Sequence, residues 1–552
     1  MRTVLTFTSI LLIAYGCANL GGGRIDGRDL ALKSTGAAVD GGGWKLDESG
    51  YLGTYLRLDR PATVSVNVRA SGDAATLGVS AADLRQTFPV ESASTDCDAR
   101  FPLSAGTHFL HIECRGTVVV RSVSVRGAQV MNEHTDANAL AAADSYVEHF
   151  RKGPARVTLT GVEPGTSVHV KLRRHAFNFG TNATGTRNQY LIENPPPESD
   201  AARWQAFVNA HFNCLVPSNA GKWAYNEPSP GQIDMEYVDE ILAYAEKHGL
   251  RARMHAMLWD TPQQPQWVRD LMTRADTGDA DAKRELRAAI DRRIDYYVKQ
   301  RASRYVELDV LNESVHHARY NRIFGGEGIA SIFKRVHDAA PDPKRFLNEF
   351  NVMQWSRGAG SQVDDPYANW YRRHVEEINR AGGDEPAVTG IGVQYYVGTN
   401  ERVKKRWPHS AARIQQVMQN LAGTGCSISL TEYATQGATP EESARILDET
   451  MRMMFGTPQA NTFMIWGFWA GAVTPKDVST ALVDKDWNLT PAGHAYERLM
   501  AKWNTDETLT VANDATITFT GFFGDYDVTI GDDDRHATFE LRKGQTDYTI
   551  DR

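Results

Sequence analysis

The sequence predicts a multidomain protein with a central (β/α)8 TIM barrel, an N-terminal all-β sandwich and a small C-terminal β module. Between residues 177 and 503, short apolar strands that end in polar or aromatic residues alternate with amphipathic helices. Before residue 130 and after residue 504, alternating apolar runs separated by Gly, Asp and Ser indicate further strands. The 552 residues have room for all three parts, because most domains hold about 100–200 residues and a barrel about 250 or more.

The central region contains eight strand candidates in series, at residues 177–182, 212–219, 251–259, 306–313, 346–351, 390–396, 427–433 and 462–468. Helical periodicity lies between them, for example at 235–248, 283–301, 367–381, 411–421 and 440–455. Eight strand–helix units are the pattern of a (β/α)8 barrel, whose functional side chains stand at the C-terminal ends of the strands. Those ends carry Asn219, His255, Asn312, Glu313, Asn348, Gln394, Glu432 and Trp466.

Residues 24–130 are predicted to form the β-sandwich. Such sandwiches often bind carbohydrate, although a fold alone does not assign a function. Trp44 and Tyr51 either stack on a sugar or belong to the sandwich core, and we favour the core.

Residues 131–176 are predicted to be a connector, with a helix at 136–151 and a β-hairpin made of 155–161 and 167–173. The C-terminal tail, residues 504–552, carries two cleanly alternating runs at 516–519 and 526–530. Because a two-stranded hairpin is only marginally stable alone, we expect the tail to pair with the connector strands.

The first 23 residues are predicted to be an export signal followed by a tether. Arg2 precedes an apolar run at 4–14 that is too short to span a bilayer. Ala14-Tyr15-Gly16-Cys17 resembles a bacterial lipoprotein cleavage site, which would put a lipid on Cys17 and tether the protein to a membrane. The alternative is a plain secretion signal with an incidental cysteine. In either case we expect a secreted protein or one held at the bacterial cell envelope, in the periplasm or at the outer membrane.

The remaining cysteines and the net charge limit the partners. Cys97 and Cys114 flank a short hairpin-like stretch and are disulfide candidates in an exported protein. Cys214 and Cys426 lie in apolar segments and are expected in the core, and no cysteine has zinc-site spacing. The net charge of −8, without a long Lys/Arg run, argues against a nucleic-acid partner.

Glu313 and Glu432 stand out because they follow the fourth and the seventh strands of the predicted barrel. Glycoside cleavage needs such a pair, with one carboxyl protonated to donate to the leaving oxygen and the other ionised to attack the anomeric carbon. Mutual repulsion and unequal burial help to hold one proton in place near neutral pH. Asn312, directly before Glu313, can donate from its amide to the sugar 2-hydroxyl.

The central domain resembles glycoside hydrolase family 10, the endo-β-1,4-xylanase family. Leu308-Asp309-Val310-Leu311-Asn312-Glu313 is similar to the family's acid/base motif, Trp-Asp-Val-Val-Asn-Glu, and Leu430-Thr431-Glu432-Tyr433 is similar to its nucleophile motif, Ile-Thr-Glu-Leu-Asp. The likeness covers residues 177–503, with every motif in family order. It implies that Glu313 is the acid/base and Glu432 the nucleophile of a retaining double displacement, with carboxyl groups about 5–5.5 Å apart.

Four shorter motifs extend the resemblance. Residues 217–223 are similar to Glu-Asn-x-x-Lys-Trp, residues 253–259 to Arg-Gly-His-x-Leu-x-Trp, residues 392–394 to Gly-Leu-Gln, and residues 466–468 to Trp-Gly-Val. The resemblance implies that the substrate is bound by the matching side chains Asn219, Lys222, His255, Trp259, Gln394 and Trp466, together with Asn312 and Tyr396.

Four positions depart from the family pattern. Tyr396 stands where the family usually has a His, and Ala434 where it usually has an Asp that shares a hydrogen-bonded network with the nucleophile. Tyr396 could instead donate its phenol directly to Glu432. Ser218 replaces a sugar-binding Glu, and Asp260 stands where a His often follows the Trp. These changes bear on specificity, rate and pH optimum more than on the reaction class.

We therefore expect a monomeric retaining glycoside hydrolase that cleaves β-1,4-xylosidic bonds in a xylan-type plant polysaccharide without a metal or an organic cofactor. Two alternatives remain open. The first is a β-glucanase or another retaining β-glycosidase on the same barrel. The second is a carbohydrate-binding protein without catalytic activity.

Overall fold

The computed structural model describes residues 23–551, apart from residues 35, 48–49, 83, 184–188, 354–355, 358–364, 399–407 and 532–534. Cys17 and the rest of the predicted export segment before residue 23 lie outside the described residues. The chain divides into two compact units, Met1–Glu133 and His134–Arg552. Within the described part of the chain, no helix is both long enough and apolar enough to cross a membrane.

The first unit consists of two antiparallel sheets around one core. Its strands are β1 (Arg24–Asp26), β2 (Leu32–Lys33), β3 (Gly36–Ala38), β4 (Trp44–Leu46), β5 (Tyr51–Leu58), β6 (Ala62–Gly72), β7 (Ala75–Ala81), β8 (Leu84–Val90), β9 (Thr95–Leu103), β10 (Gly106–Arg115), β11 (Val118–Arg126) and β12 (Gln129–Met131). One sheet has the order β3-β4-β11-β6-β9 with β1 on β11, and the other has the order β12-β5-β10-β7-β8 with β2 on β5. Alternate side chains such as Val64, Val66 and Val68 of β6 are buried, as the period of two along a strand requires.

The predicted disulfide between Cys97 and Cys114 is not formed in the structure, in which both residues are thiols. Cys97 is on β9 and Cys114 on β10, both are buried, and neither is part of a disulfide. β9 and β10 follow each other in sequence but cross between the sheets instead of forming a hairpin. The Cys114 thiol donates to the Asp47 carbonyl at 3.2 Å. Burial raises the pKa of the Cys97 thiol to about 11, so this group stays protonated and unreactive.

Neither of the two aromatic side chains that could serve as sugar platforms is exposed on the sandwich. Tyr51 is only 4% exposed. Trp44 is partly buried and packs against the sandwich core. The structure therefore favours the core interpretation for Trp44, whereas Tyr51 is buried on the other face of β5, with its ring 5.3 Å from that of His111.

The second unit begins with α1 (Asp136–Phe150), β13 (Lys152–Leu159) and β14 (Ser167–His175). Thr135 caps α1, since its side chain accepts from the Asn138 N–H. The predicted hairpin is wrong: β13 and β14 belong to different sheets.

Among the described residues, eight parallel strands close a barrel, as the sequence predicts. In chain order they are β15 (Asn178–Ala183), β16 (Cys214–Pro217), β17 (Arg251–Met254) with its continuation β18 (Leu258–Trp259), β19 (Glu307–Asn312), β20 (Lys344–Glu349), β23 (Gly390–Gly398), β24 (Ser427–Gln436) and β25 (Ala460–Ile465). A small ladder of β21 (Ser356–Arg357) and β22 (Asp365–Pro366) follows the fifth barrel strand.

Amphipathic helices surround the barrel. They are α2 (Asp200–His211), α3 (Trp223–Asn226), α4 (Glu236–Lys247), α5 (Gln266–Asp276), α6 (Ala280–Arg293), α7 (Arg319–Ala339), α8 (Tyr367–Gly382), α9 (Ala411–Ala422), α10 (Pro440–Phe455) and α11 (Pro491–Lys502). α6 continues into a π turn, Ile294–Val298, and a 3-10 turn, Lys299–Arg304. α10 begins with a capping box between Thr439 and Glu442 and has Pro440 in its first turn.

The C-terminal strands pair with the connector strands, as expected from the marginal stability of an isolated hairpin. They are β26 (Asp506–Thr510), β27 (Thr516–Phe522), β28 (Gly524–Ile530), β29 (Arg535–Leu541) and β30 (Asp547–Ile550). One sheet has the order β27-β13-β30 and the other has the order β26-β14-β28-β29. Phe519 of the first sheet contacts Tyr526 of the second, with ring centroids 5.5 Å apart. The connector and the tail thus build one two-layered β module.

Arg151, between α1 and β13, ties this module to the barrel. Its guanidinium donates to the carbonyls of Phe455, Thr457 and Ala460, each at 2.7 Å. Ala460 is the first residue of the eighth barrel strand. One side chain therefore satisfies three carbonyls at the N-terminal end of that strand.

We predict that Arg151→Met lowers the free energy of unfolding by about 2–4 kcal/mol, because three carbonyls lose their donor. Thermal unfolding measures the effect. Arg156→Met is the matched control, since Arg156 lies on β13, is exposed and pairs with the exposed Asp514 at 2.8 Å. This control should change stability by less than about 0.5 kcal/mol. Equal losses in both variants would contradict the role assigned to Arg151.

Candidate active site

Glu313 follows the fourth barrel strand, and its backbone is held by a hydrogen bond to the fifth strand. Its φ of 58° lies in the left-handed region, which is uncommon for a residue with a Cβ. The Glu313 N–H donates to the Asn348 carbonyl of the fifth strand at 2.6 Å. Glu313 is 8% exposed. This backbone places the carboxyl group at the C-terminal mouth of the barrel.

Both oxygens of the Glu313 carboxyl group accept hydrogen bonds from side chains of the third and sixth barrel strands. Trp259 Nε1 donates to Oε2 at 2.7 Å, and Gln394 Nε2 donates to Oε1 at 3.0 Å. Burial and, second, the charge of Glu432 raise the pKa of Glu313 to about 7, against the effect of these two hydrogen bonds. Glu313 can therefore keep its proton near neutral pH, as a general acid must.

Glu432 lies on the seventh strand and is 5% exposed. The Tyr396 phenol donates to Glu432 Oε2, which confirms the contact expected from the departure at position 396. Asn348 Nδ2 donates to Oε1 at 3.4 Å. Burial, reinforced by the charge of Glu432, raises the pKa of Tyr396 well above its ordinary value, so the phenol remains a donor at neutral pH. One oxygen of Glu432 is thus held by Tyr396 while the other lies beside Asn348.

Asn312 is buried and its orientation is set by a chain of amide contacts. Thr431 Oγ1 donates to Asn348 Oδ1 at 2.6 Å, and Asn348 Nδ2 donates to Asn312 Oδ1 at 2.8 Å. Asn312 Nδ2 is buried and has no hydrogen-bond partner among the described residues. This N–H group is available to a ligand that enters the barrel mouth.

His255 lies under the carboxyl pair. Its Nδ1 is 2.9 Å from Asp309 Oδ2, and its Nε2 is 4.0 Å from Glu432 Oε1. Burial alone would raise the pKa of Asp309, but Arg253 and His255 outweigh it and lower the pKa below its ordinary value. An ionised Asp309 accepts the proton of Nδ1, which leaves Nε2 facing Glu432. The Trp466 ring meets the His255 ring edge-on, with centroids 5.5 Å apart.

Lys222 and Asn219 form the other side of the site. Lys222 Nζ donates to Asn219 Oδ1 at 2.7 Å and lies 5.1 Å from the centroid of the Trp259 ring. Burial lowers the pKa of Lys222, while the charges of Glu432 and Glu313 oppose that shift.

The structure brings all the catalytic and substrate-site residues expected from the sequence into one connected cluster. Of the other departures, Asp260 forms an ion pair with Arg319 at the start of α7 and so holds a loop. Ala434 is buried and lies opposite Tyr396 in the register of the sixth and seventh strands. Ser218 is half-buried and precedes the 3-10 turn Asn219–Gly221.

Three groups of supporting residues were missed at the sequence level. The sequence places Asn348 only at a strand end, whereas in the structure its amide donates to both Asn312 and Glu432. Arg253 and Asp309 hold His255 from below. Glu349 accepts from the Val315 N–H at 2.8 Å and lies 2.7 Å from His316 Nδ1, which fixes the loop after Glu313. The available signal was the presence of charged residues on strands that are otherwise fully buried.

The (β/α)8 barrel carries two carboxyl groups at the ends of its fourth and seventh strands, one of which keeps its proton near neutral pH, and this is the pair of groups that glycoside cleavage requires. The profile of glycosyl hydrolase family 10 matches residues 177–498, which is more than half of the chain. The chain belongs to this family.

Known proteins with similar sequences include the anti-sigma-I factor RsgI6 of Acetivibrio thermocellus, 27% identical over 395 residues that cover 69% of this chain and 46% of the relative. Endo-1,4-beta-xylanase 5-like of Arabidopsis thaliana is 24% identical over 365 residues, which cover 65% of this chain and 58% of the relative. The chain thus spans about half the length of the curated relatives it matches.

Similar solved structures include xylanase 10B from Thermotoga petrophila in complex with xylobiose. It is 19% identical with a TM-score of 0.47 and covers 59% of this chain and 94% of that one. A variant of xylanase 10C from Cellvibrio japonicus in complex with xylopentaose is 16% identical with a TM-score of 0.48, and it covers 87% of this chain and 97% of that one.

We predict that Glu313→Gln stabilises the folded protein above neutral pH. Glu313 keeps its proton in the folded state up to a pH of about 7, whereas an unfolded Glu loses it near about 4.3. Wild-type stability therefore falls as the pH rises through this window, and the amide removes that loss. Thermal unfolding should show the stability advantage of the variant over the wild type growing by at most about 4 kcal/mol between these two pH values and staying constant above them. For the control Glu163→Gln, in an exposed turn, the difference from wild type should stay flat.

Proposed function

We propose that this protein is a retaining glycoside hydrolase that cleaves β-1,4-xylosidic bonds in a xylan-type polysaccharide. The observation that carries the proposal is the unequal carboxyl pair. Glu313 has a pKa of about 7 and can hold a proton, while Glu432 accepts hydrogen bonds from Tyr396 and Asn348. One group is prepared to donate a proton and the other to attack.

In the first step, Glu432 attacks the anomeric carbon while Glu313 gives its proton to the glycosidic oxygen. The bond between the anomeric carbon and that oxygen breaks, the leaving saccharide departs with the proton, and a glycosyl ester forms on Glu432. The unpaired Asn312 N–H is placed to donate to the sugar 2-hydroxyl, a contact that strengthens in the transition state. Trp259 and Gln394 hold the Glu313 carboxyl group in position throughout.

In the second step, the Glu313 carboxylate takes a proton from water as that water attacks the anomeric carbon. The ester bond breaks, Glu432 is released as a carboxylate, and Glu313 regains its proton. The sugar keeps its anomeric configuration because two displacements occur at one carbon. The pKa of Glu313 near 7 suits both roles, since a group of this kind donates and accepts a proton at neutral pH.

Family membership and the names of the similar proteins support xylan as the substrate. Endo-1,4-beta-xylanases are among the relatives, and xylobiose and xylopentaose are bound in the two solved structures named above. We also propose that the protein acts outside the cytoplasm, as the apolar run at 4–14 and Cys17 suggest. A polymer too large to enter a cell is degraded there.

Two variants of the carboxyl pair test the reaction. We expect Glu432→Gln to abolish hydrolysis of xylan, and Glu313→Gln to lower it about 10²–10⁴-fold. On an aryl xyloside whose phenol is a good leaving group, Glu313→Gln should still form the glycosyl–enzyme, because that departure needs no proton. We expect the time course of phenol release to show a burst equal to the enzyme concentration, followed by slow turnover.

Glu163→Gln is the control for both variants and should keep wild-type rates. Substantial xylan hydrolysis by both active-site variants would overturn the assigned site. Activity of the wild type on β-glucan but not on xylan would keep the mechanism and replace the substrate.

Tyr396→Phe tests the altered surroundings of Glu432. A hydrogen bond to a charged group contributes about 1.5–3 kcal/mol, so the acidic limb of the kcat/KM profile should move up by about one to two pH units. Tyr395→Phe is the matched control, because Tyr395 is next on the same strand but has its phenol 2.8 Å from His409 Nδ1. An unmoved acidic limb in Tyr396→Phe would show that the phenol does not support the nucleophile.

A further inference from the structure

The first unit carries a concave site of about 490 Å³ on its β1-β11-β6 sheet, away from the carboxyl pair in sequence. Its charged and hydroxyl-bearing lining comprises Arg24, Asp26, Arg69, Ser94, Arg121 and Ser122, next to the glycine turn at 41–42. We call it the arginine pocket. We propose that the arginine pocket binds a carboxylate-bearing sugar, a hexuronate unit of an acidic polysaccharide.

Each of the three arginines donates a hydrogen bond to a neutral oxygen beside the pocket. Arg24 Nε donates to Ser122 Oγ at 2.7 Å, and Arg69 Nε donates to Ser94 Oγ at 2.8 Å. Arg121 Nη1 donates to the Gly42 carbonyl at 2.6 Å and to the Asp40 carbonyl at 3.3 Å. These contacts are all to neutral oxygens. The guanidinium groups are therefore positioned without losing their charge to a partner.

The acidic groups around the arginine pocket do not neutralise it. Asp26 accepts from Arg28 and from the Gly43 N–H, so its carboxylate is already engaged. Asp96 is opposite Arg69 in the register of β6 and β9. Within the described part of the chain, neither Asp26 nor Asp96 is within ion-pair distance of Arg24, Arg69 or Arg121. Three cations thus converge on one concavity.

The chemistry of the lining selects a sugar acid. A guanidinium matches the two oxygens of a carboxylate in a planar, bidentate geometry. Ser94 and Ser122 can serve as hydrogen-bond partners for the ring hydroxyls of a sugar. No aromatic side chain is among the lining residues, so recognition depends on charge rather than on stacking.

This inference rests on the proposed function only for the nature of the ligand, since a polysaccharide hydrolase meets saccharides. The test uses the full chain and measures binding of methyl β-D-glucuronide by calorimetry, with methyl β-D-glucoside as the neutral ligand of the same ring. We expect the glucuronide to bind, the glucoside not to bind, and the affinity to fall as salt is added. Arg69→Ala and Arg121→Ala should each weaken glucuronide binding at least tenfold.

Arg100→Ala is the matched control, because Arg100 is exposed on β9 of the same sheet but does not line the pocket. It should leave the affinity unchanged. Absence of glucuronide binding, or an equal effect of Arg100→Ala, would overturn the inference. So would inorganic phosphate, or vesicles of anionic lipid, binding as well as the glucuronide and competing with it.

Xylan hydrolysis is measured on the same variants to separate the two proposals. If the wild type hydrolyses xylan but does not bind the glucuronide, only the arginine pocket has been misassigned. If the glucuronide binds in the expected pattern but xylan is not cleaved, the pocket stands and the proposed function fails.

Discussion

The arrangement of the barrel interior depends on one buried guanidinium, that of Arg253. It is fully buried and donates to Glu307 at 3.0 Å and to Asp309 at 2.6 Å, so the third strand is tied to the fourth. The second oxygen of Glu307 accepts from Ser429 on the seventh strand and from Thr462 on the eighth. A buried charge is tolerated only when its hydrogen-bonding groups are all paired. In this network the paired groups come from the third, fourth, seventh and eighth strands.

This network also prepares the site above it. Asp309 is ionised because Arg253 faces it, and it therefore accepts the Nδ1 proton of His255. His255 in turn lies between Glu432 and the Trp466 ring. Charged side chains of the barrel strands therefore fix the position of His255. Glu349 fixes the loop that follows Glu313 in the same way. Rigid support of this kind keeps the two carboxyl groups unequal, which is what acid and nucleophile require.

Much of the barrel and of the site could be predicted from the sequence, because both follow local rules. Strand ends carry functional residues in a (β/α)8 barrel, so Glu313 and Glu432 could be predicted as functional residues from the sequence. The contact between Tyr396 and Glu432 could be anticipated from the family resemblance, because the usual His and Asp are both replaced, at positions 396 and 434, and the nucleophile then needs another donor. The roles of Glu307, Asp309 and Asn348 could not be predicted, because a polar residue inside an apolar strand does not reveal its partner on another strand.

By itself, the sequence determined where strands and helices form, which residues stand at the barrel mouth and which chemistry they support, since these depend on periodicity and residue type. Only the tertiary structure decided which strand joins which sheet. Cys97 and Cys114 lie on strands of different sheets and not on one hairpin, and β13 and β14 are divided between two sheets that the C-terminal strands complete. The tertiary structure also decided that Glu313 keeps its proton near neutral pH. Its pKa is raised by its own burial and by the charge of Glu432, and both depend on strands that are far apart in the chain. Pairing and burial are long-range properties, and no local pattern encodes them.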